Sequence, residues 1–276
     1  MRALPQLARN YQVFGLVRTA VQADRIAALG ATALAGDLDD PATLAALAGV
    51  ADLVLHLAPP GEGGEQDQRS ANLIAALASR PPERLVYIST SGVYGDCGGA
   101  LVDEERPVAP QTLRGMRRAD AERALLAWGG KCGAAVAVLR VPGIYAAERL
   151  PLAQLKRGAP VLRAEDDVYT NHIHADDLAS ICLTALARAT AGRIYNASDD
   201  SEMKMGDYFD LVADRAGLPR PPRITRAAAE AGAISEGLLS FMSESRRLVN
   251  TRMKTELGVQ LRYPSVREGV PPVVAV

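Results

Sequence analysis

The strongest constraint on the fold is a set of apolar runs that do not alternate. ADLVLHLA (51–58), RLVYISTSG (84–92) and AAVAVLRV (134–141) are continuous hydrophobic stretches. A strand with one wetted face alternates apolar and polar residues, whereas a continuous run suits a strand covered on both faces. Helical patterns lie between the runs: SANLIAALASR after the first, Arg114 to Trp128 after the second, HADDLASICLTALARA (174–189) after the third. Strands separated by crossover helices predict an α/β fold with a mostly parallel, doubly wound sheet.

Shorter signals fill in the order. Leu4, Leu7 and Ala8 mark one face of a helix ending near Asn10, and Gln12–Val17 reads as a strand. ATALAGDL (31–38) is a strand into a turn. Asp39 or Asp40 then caps a helix that Pro41 starts and LAALAG carries. Asp176 caps the 174–189 helix, and RIYNASDD (193–200) is a further strand. Near residue 201 the texture changes to a Pro-rich loop and a basic helix, SFMSESRRLVNTRMKTELG, which Gly258 stops. The chain therefore divides into a domain over 1–200 and a smaller lobe over 201–276, to which 146–170 contributes.

Composition removes several function classes. The 276 residues are 48% apolar and carry a net charge of -1, so nothing favours nucleic acid or an anionic membrane. No apolar run approaches the roughly 20 residues that span a bilayer, and the first residues lack the apolar core of a signal peptide. Cys97, Cys132 and Cys182 are scattered, with no CxxC spacing. Neither a disulfide framework nor a metal site is expected, and a reducing cytoplasm is the expected location.

Six pieces stand in a suggestive order: GDLDD (36–40), HLA (56–58), ISTSGVYG (88–95), LRVPGIY (139–145), HIHADDLA (172–179) and IYNASDD (194–200). Together they resemble the extended short-chain dehydrogenase/reductases, also called NAD-dependent epimerase/dehydratases. The resemblance covers nearly the whole chain and implies a Rossmann-like fold with a nucleotide across the carboxyl ends of the strands. It says little about the reaction, because the family hosts epimerases, dehydratases, reductases and silent members.

The resemblance assigns roles. Arg18 follows the strand that reads the adenosine ribose. No acid stands at Val17 to hold a 2′-hydroxyl, and a guanidinium suits a 2′-phosphate, so NADP is expected over NAD. A solvated strand-end charge is the other reading of Arg18. Asp37 and Leu38 border the adenine, although Asp37 is equally a turn-former. Leu57, Ala58 and Pro59 line the path to the nicotinamide, and Ser89 and Pro142 complete the cofactor-binding set. No metal enters the scheme. A small-molecule substrate, a hydroxyl or carbonyl compound such as a nucleotide sugar, and a homodimer are the partners that the family implies.

The family's chemistry uses a Tyr, a Lys four residues on, and a Ser or Thr at the preceding strand end. The spacing of four puts Tyr and Lys on one helix face. Ser91 fills the hydroxyl slot, with Ser89 and Thr90 beside it. No Tyr in the chain has Lys four residues later. The helix RADAER (118–123) places Arg114 in the Tyr slot and Arg118 in the Lys slot. Arg118 still supplies a fixed charge to a ribose. Arg114 cannot be a base, because guanidinium keeps its proton. Tyr94 and Tyr145 follow strand ends and are the acid candidates, with packing as the other role of each. His56 reads as a satisfied core histidine. The sequence therefore supports an NAD(P)-dependent oxidoreductase or epimerase-like enzyme, a silent nucleotide-binding sensor or partner-binding protein, or an inert remnant.

The start of the chain departs from the family. The family's first strand and glycine-rich turn precede the first helix, yet the only Gly before Gly30 is Gly15, inside a strand. The expected sheet lacks its central strand and its pyrophosphate turn. The sequence predicts an internal Met at position 1 with that unit upstream; a truncated product is the alternative.

Overall fold

The computed structural model describes residues 1–272. β1 (Phe14–Val17) and β2 (Thr32–Ala35) form a parallel ladder of their own, with Phe14 opposite Thr32 and Val17 opposite Ala35. β3 (Leu53–His56), β4 (Arg84–Thr90), β5 (Ala135–Val141) and β6 (Ile194–Asn196) form a parallel sheet in the order β6-β5-β4-β3. Among the described residues no strand is hydrogen-bonded between β1 and β3.

Helices cover both faces of the four-stranded sheet. α1 (Leu4–Leu7) and α2 (Ala20–Ala27) belong to the β1–β2 side. α3 (Gln68–Leu77) and α4 (Leu113–Cys132) pack Leu73, Leu77, Ala121 and Leu125 against Leu85, Tyr87, Val136 and Val138. On the other face, α5 (Ala175–Arg188) packs Ile181 and Ala185 against Val86, Ala137 and Leu139. Neighbours along β4 thus face opposite helix layers, as the pleat requires. Each such fully buried side chain contributes about 1.5–3 kcal/mol. The parallel, doubly wound α/β expectation is met.

Three local expectations are corrected. The 41–47 stretch is not one helix but two tight turns, Pro41–Thr43 and Ala45–Leu47. Asp40 caps the first by accepting from Ala42 N at 3.2 Å, and Thr43 Oγ1 bonds back to Asp40 O at 2.7 Å, which ties that turn off. The cap of α5 is His174, whose Nδ1 accepts from Asp176 N at 3.2 Å; Asp176 already lies in the first turn and pairs with Arg2. The basic stretch is broken into a helix over Glu236–Phe241, a short strand Arg247–Leu248 on Leu101–Val102, and α7 (Thr251–Leu257). Gly258 does end α7, in the left-handed region at φ +68. The break arises because Ser245 O accepts from both Cys97 N and Gly99 N, which holds that backbone extended.

A second apolar cluster lies beyond the sheet. It joins Tyr145, Leu150, Leu155, Val161 and Leu162 to Phe209 and Val212 on α6 (Met205–Ala216) and to Val266. α7 turns back to the sheet, where Met253 and Leu257 pack with Ile181 and Tyr195. Among the described residues no helix is long and apolar enough to cross a membrane.

Candidate functional site

The candidate site lies at the carboxyl ends of the parallel strands, where exit loops gather. β1 ends into Arg18, whose amide donates to Gln22 Oε1 at 2.9 Å. β2 ends at Gly36, whose amide donates to Val17 O at 3.0 Å. A Cβ at Gly36 would stand 2.9 Å from Leu16 Cδ1 and 3.0 Å from Thr43 O, so only glycine fits this approach. A cavity of about 380 Å³ opens beside these ends. It brings together Arg18, Asp37, Leu38, Ala58 and Pro59, five of the residues expected to hold the cofactor. Asp37 forms a turn, its Oδ1 accepting from Asp39 N at 3.0 Å, while its Oδ2 lies 3.8 Å from Arg18 Nη1.

Sequence reasoning missed two cations of this cavity, Arg25 and Arg69. Arg18, Gln22 and Arg25 recur at helical spacing, and all three line it, so the period held the signal. Arg69 is tied to both oxygens of Asp39, at 2.7 and 2.6 Å, and to Pro59 O at 3.0 Å. That pairing holds the Asp39 carboxyl below its ordinary range.

Arg118 on α4 is buried and reaches across to the strand ends. Its Nη1 donates to Ile88 O at 2.5 Å, Tyr87 OH at 3.0 Å and Ala58 O at 3.4 Å. Its Nε is buried without a partner among the described residues. The charge is therefore fastened to β4 and to Ala58 beyond β3. Burial pushes the Tyr87 hydroxyl beneath it up to about 12. Ser91 is buried and opens the turn Ser91–Tyr94. Thr90 is half-buried at the same strand end, and its Oγ1 accepts from Gly92 N at 3.3 Å.

Other expected site residues lie apart from the cavity. Ser89 donates to Glu122, which also holds Arg140 through Nη2 at 2.7 Å. Arg140 in turn covers the Tyr94 ring at 4.7 Å, and Tyr94 OH donates to Asn196 Oδ1 at 2.8 Å. Ser89 thus belongs to a buried polar network beneath the site. Leu57 is exposed and Pro142 half-buried, and neither lines the cavity. Tyr145 packs in the second cluster, donates to Ser265 O at 3.3 Å, and is pushed upward by burial. His56 donates through Nε2 to Ser70 Oγ at 2.9 Å, and Ser70 donates to Asp67 at 2.7 Å. Burial holds His56 neutral, lowering it to about 3.

A model of the NAD dependent epimerase/dehydratase family matches residues 2–198. The chain belongs to that family. A GDP-6-deoxy-D-mannose reductase of Pseudomonas aeruginosa is 29% identical over 177 residues, 56% of this chain and 58% of that protein. The chain thus matches less than two thirds of that relative. A functionally unknown conserved protein from Silicibacter pomeroyi DSS aligns over 97% of this chain and 91% of its own, at 31% identity and a TM-score of 0.80. The Pseudomonas aeruginosa RMD complexed with NADPH aligns over 95% and 98%, at 19% identity and a TM-score of 0.70, a likeness of fold. Within this epimerase/dehydratase fold the cavity occupies the carboxyl-end crevice where such sheets take nucleotides.

Proposed function

We propose that this family member binds NADP and works as an oxidoreductase or epimerase-like enzyme on a hydroxyl or carbonyl substrate. The carrying observation is the cavity that gathers Arg18, Asp37, Leu38, Ala58 and Pro59 at parallel strand ends. Its residues fit the adenosine half of a dinucleotide: apolar Leu16, Val17 and Ile26 for the ring, and Arg18 with Arg25 for a 2′-phosphate. The unpartnered, buried Nε of Arg118 adds a fixed cation toward the ribose of the other half.

When bound, the nicotinamide supplies or accepts the hydride. The chain positions the partner. Ser91, with Thr90 beside it, donates a hydrogen bond to the reacting oxygen at the end of β4. Arg118 stabilises negative charge there without exchanging a proton. A relative named for a nucleotide sugar supports that substrate class as one candidate.

A second reading, a nucleotide-binding sensor without turnover, is favoured by Arg114 in the Tyr slot, which cannot act as a base. Thermal shift with NADPH and NADH tests both. NADPH is expected to raise Tm more than NADH, and Arg18→Ala to erase the difference, losing about tenfold in NADPH affinity. Equal shifts for the two nucleotides contradict the NADP assignment, and no shift with either contradicts both readings. Stabilisation without turnover over carbonyl and nucleotide-sugar panels selects the sensor.

A further inference from the structure

Arg114 and Arg118 are one turn apart on α4, so their side chains share a face. The turn that carries Arg114 abuts the strand-end loop: a Cβ at Gly115 would lie 3.0 Å from Gly92 O. The backbone turn that carries Arg114 therefore lies against the Ser91–Tyr94 turn. Among the described residues no carboxylate is paired with either arginine. Arg118 is bonded only to neutral oxygens, those of Ala58, Tyr87 and Ile88. The carboxylates of α4 are spoken for, Asp120 by Arg123 and Glu122 by Arg140. Glu244, whose Oε2 lies 4.0 Å from a Cβ at Gly92, is held by both Nη atoms of Arg246. Among the described residues Arg114 has neither an ion pair nor a hydrogen-bond partner. Desolvation lowers Arg114 from its ordinary value, and the adjacent Arg118 charge acts in the same direction, while Arg114 stays charged.

Two like charges at one turn's spacing, beside a strand-end hydroxyl, form a receptor for an anion. A guanidinium fork matches a planar carboxylate through two parallel hydrogen bonds. Resting on the reading of this site as the reacting end of the cleft, we infer that Arg114 binds a carboxylate of the substrate, and that the substrate class is small α-oxo or α-hydroxy carboxylic acids. The carboxylate then sits on Arg114 while the neighbouring carbonyl or hydroxyl faces Ser91. The residue that replaces the family's Tyr is thus a substrate anchor, and its positive charge is the property that matters.

The test is calorimetric titration with oxamate, a planar isostere of a small α-oxo acid, against its neutral amide oxamide and inorganic diphosphate. Each is titrated with and without saturating NADPH. Oxamate is expected to bind about tenfold or more tighter than oxamide, and to weaken as salt rises. Arg114→Gln is expected to remove that preference, and Arg114→Lys to keep part of it, since the charge stays and the fork is lost. Because Arg114 is exposed, both variants are expected to fold, which their circular dichroism verifies. Equal binding of oxamate and oxamide, or oxamate affinity unchanged in Arg114→Gln, overturns the inference. So does diphosphate that binds in an Arg114-dependent way while oxamate does not, which would mark a nucleotide-sugar subsite. Stabilisation by NADPH without oxamate binding sinks this inference alone. Oxamate binding without any NADPH effect sinks the nucleotide reading and leaves the anchor standing.

Discussion

β3 and β5 are alike in sequence and unlike in setting. LVLH and AVAVLRV are both continuous apolar runs. In β5 every residue from Val136 to Val141 is buried, while Leu53, Val54 and Leu55 of β3 are only half-buried. β5 has a strand on each side and helices on each face. β3 has β4 on one side only, and β1 has only β2. The difference teaches that burial of a parallel strand is set by its neighbours, and that the two halves of this molecule are held by different means. The β3–β6 half is a packed parallel sheet with a buried polar network. The β1–β2 half meets it through Leu16 and Leu34, which pack on the Leu38, Leu44 and Leu85 cluster, and around the cavity.

The largest expected effect tests the packed half. Arg140 and Glu122 are both about one-twentieth exposed and bonded to each other. Glu122→Ala leaves a buried guanidinium unpaired and is expected to lower stability by about 3–5 kcal/mol in denaturant unfolding. A double change to Leu and Met is expected to lose much less. If the single change is neutral, the network is not what holds this half.

The next compares the two strand settings directly. Leu139 on β5 is fully buried and Leu55 on β3 is not. Leu139→Ala is expected to cost about 2–5 kcal/mol, and Leu55→Ala less than half of the same measurement. Equal losses would erase the distinction between the two settings.

A smaller effect sharpens the picture at the far edge of the packed half. Asp199, just past β6, is buried, and its Oδ2 has no partner among the described residues. Burial raises it from 3.8 to about 7, with Asp200 and Asp177 adding to the rise while Ser201 opposes it. A raised carboxyl contributes stability below its unfolded value and loses it as pH climbs through the folded one. Wild-type stability from this group therefore falls between pH 3.8 and about 7. Asp199→Asn is expected to remove that component of the slope when Tm is followed against pH, and an unchanged slope contradicts the assignment. His56 and His172, each lowered to about 3 by burial, act in the opposite sense and lose stability as pH falls below 6.5.

Legibility followed the same division. Apolar runs and helical periods announced the parallel sheet and its covering helices, because they depend on pattern alone. The cavity was legible through Arg18, Asp37, Leu38, Ala58 and Pro59, since strand ends can be located from the runs that precede them. The Ser89–Glu122–Arg140 network was not, because it joins residues 33 and 18 positions apart whose polarity reads as surface. His174 as a cap was hidden for a related reason: Asp176 is the commoner capping residue, and only backbone geometry shows that it already lies inside the helix. Tyr145 carried two readings, acid and packing, because a strand-end Tyr looks the same in sequence whether its ring enters a cleft or a lobe.

The central claim is that one dinucleotide bridges the two halves. Hydrogen exchange followed by mass spectrometry, with and without NADPH, tests it most directly. The account predicts that amides at 15–18, 36–38 and 58–59 exchange faster than those of β4 and β5 in the free protein, and that NADPH slows all three loose segments together. Protection confined to one half, or none at any of the three, would contradict it.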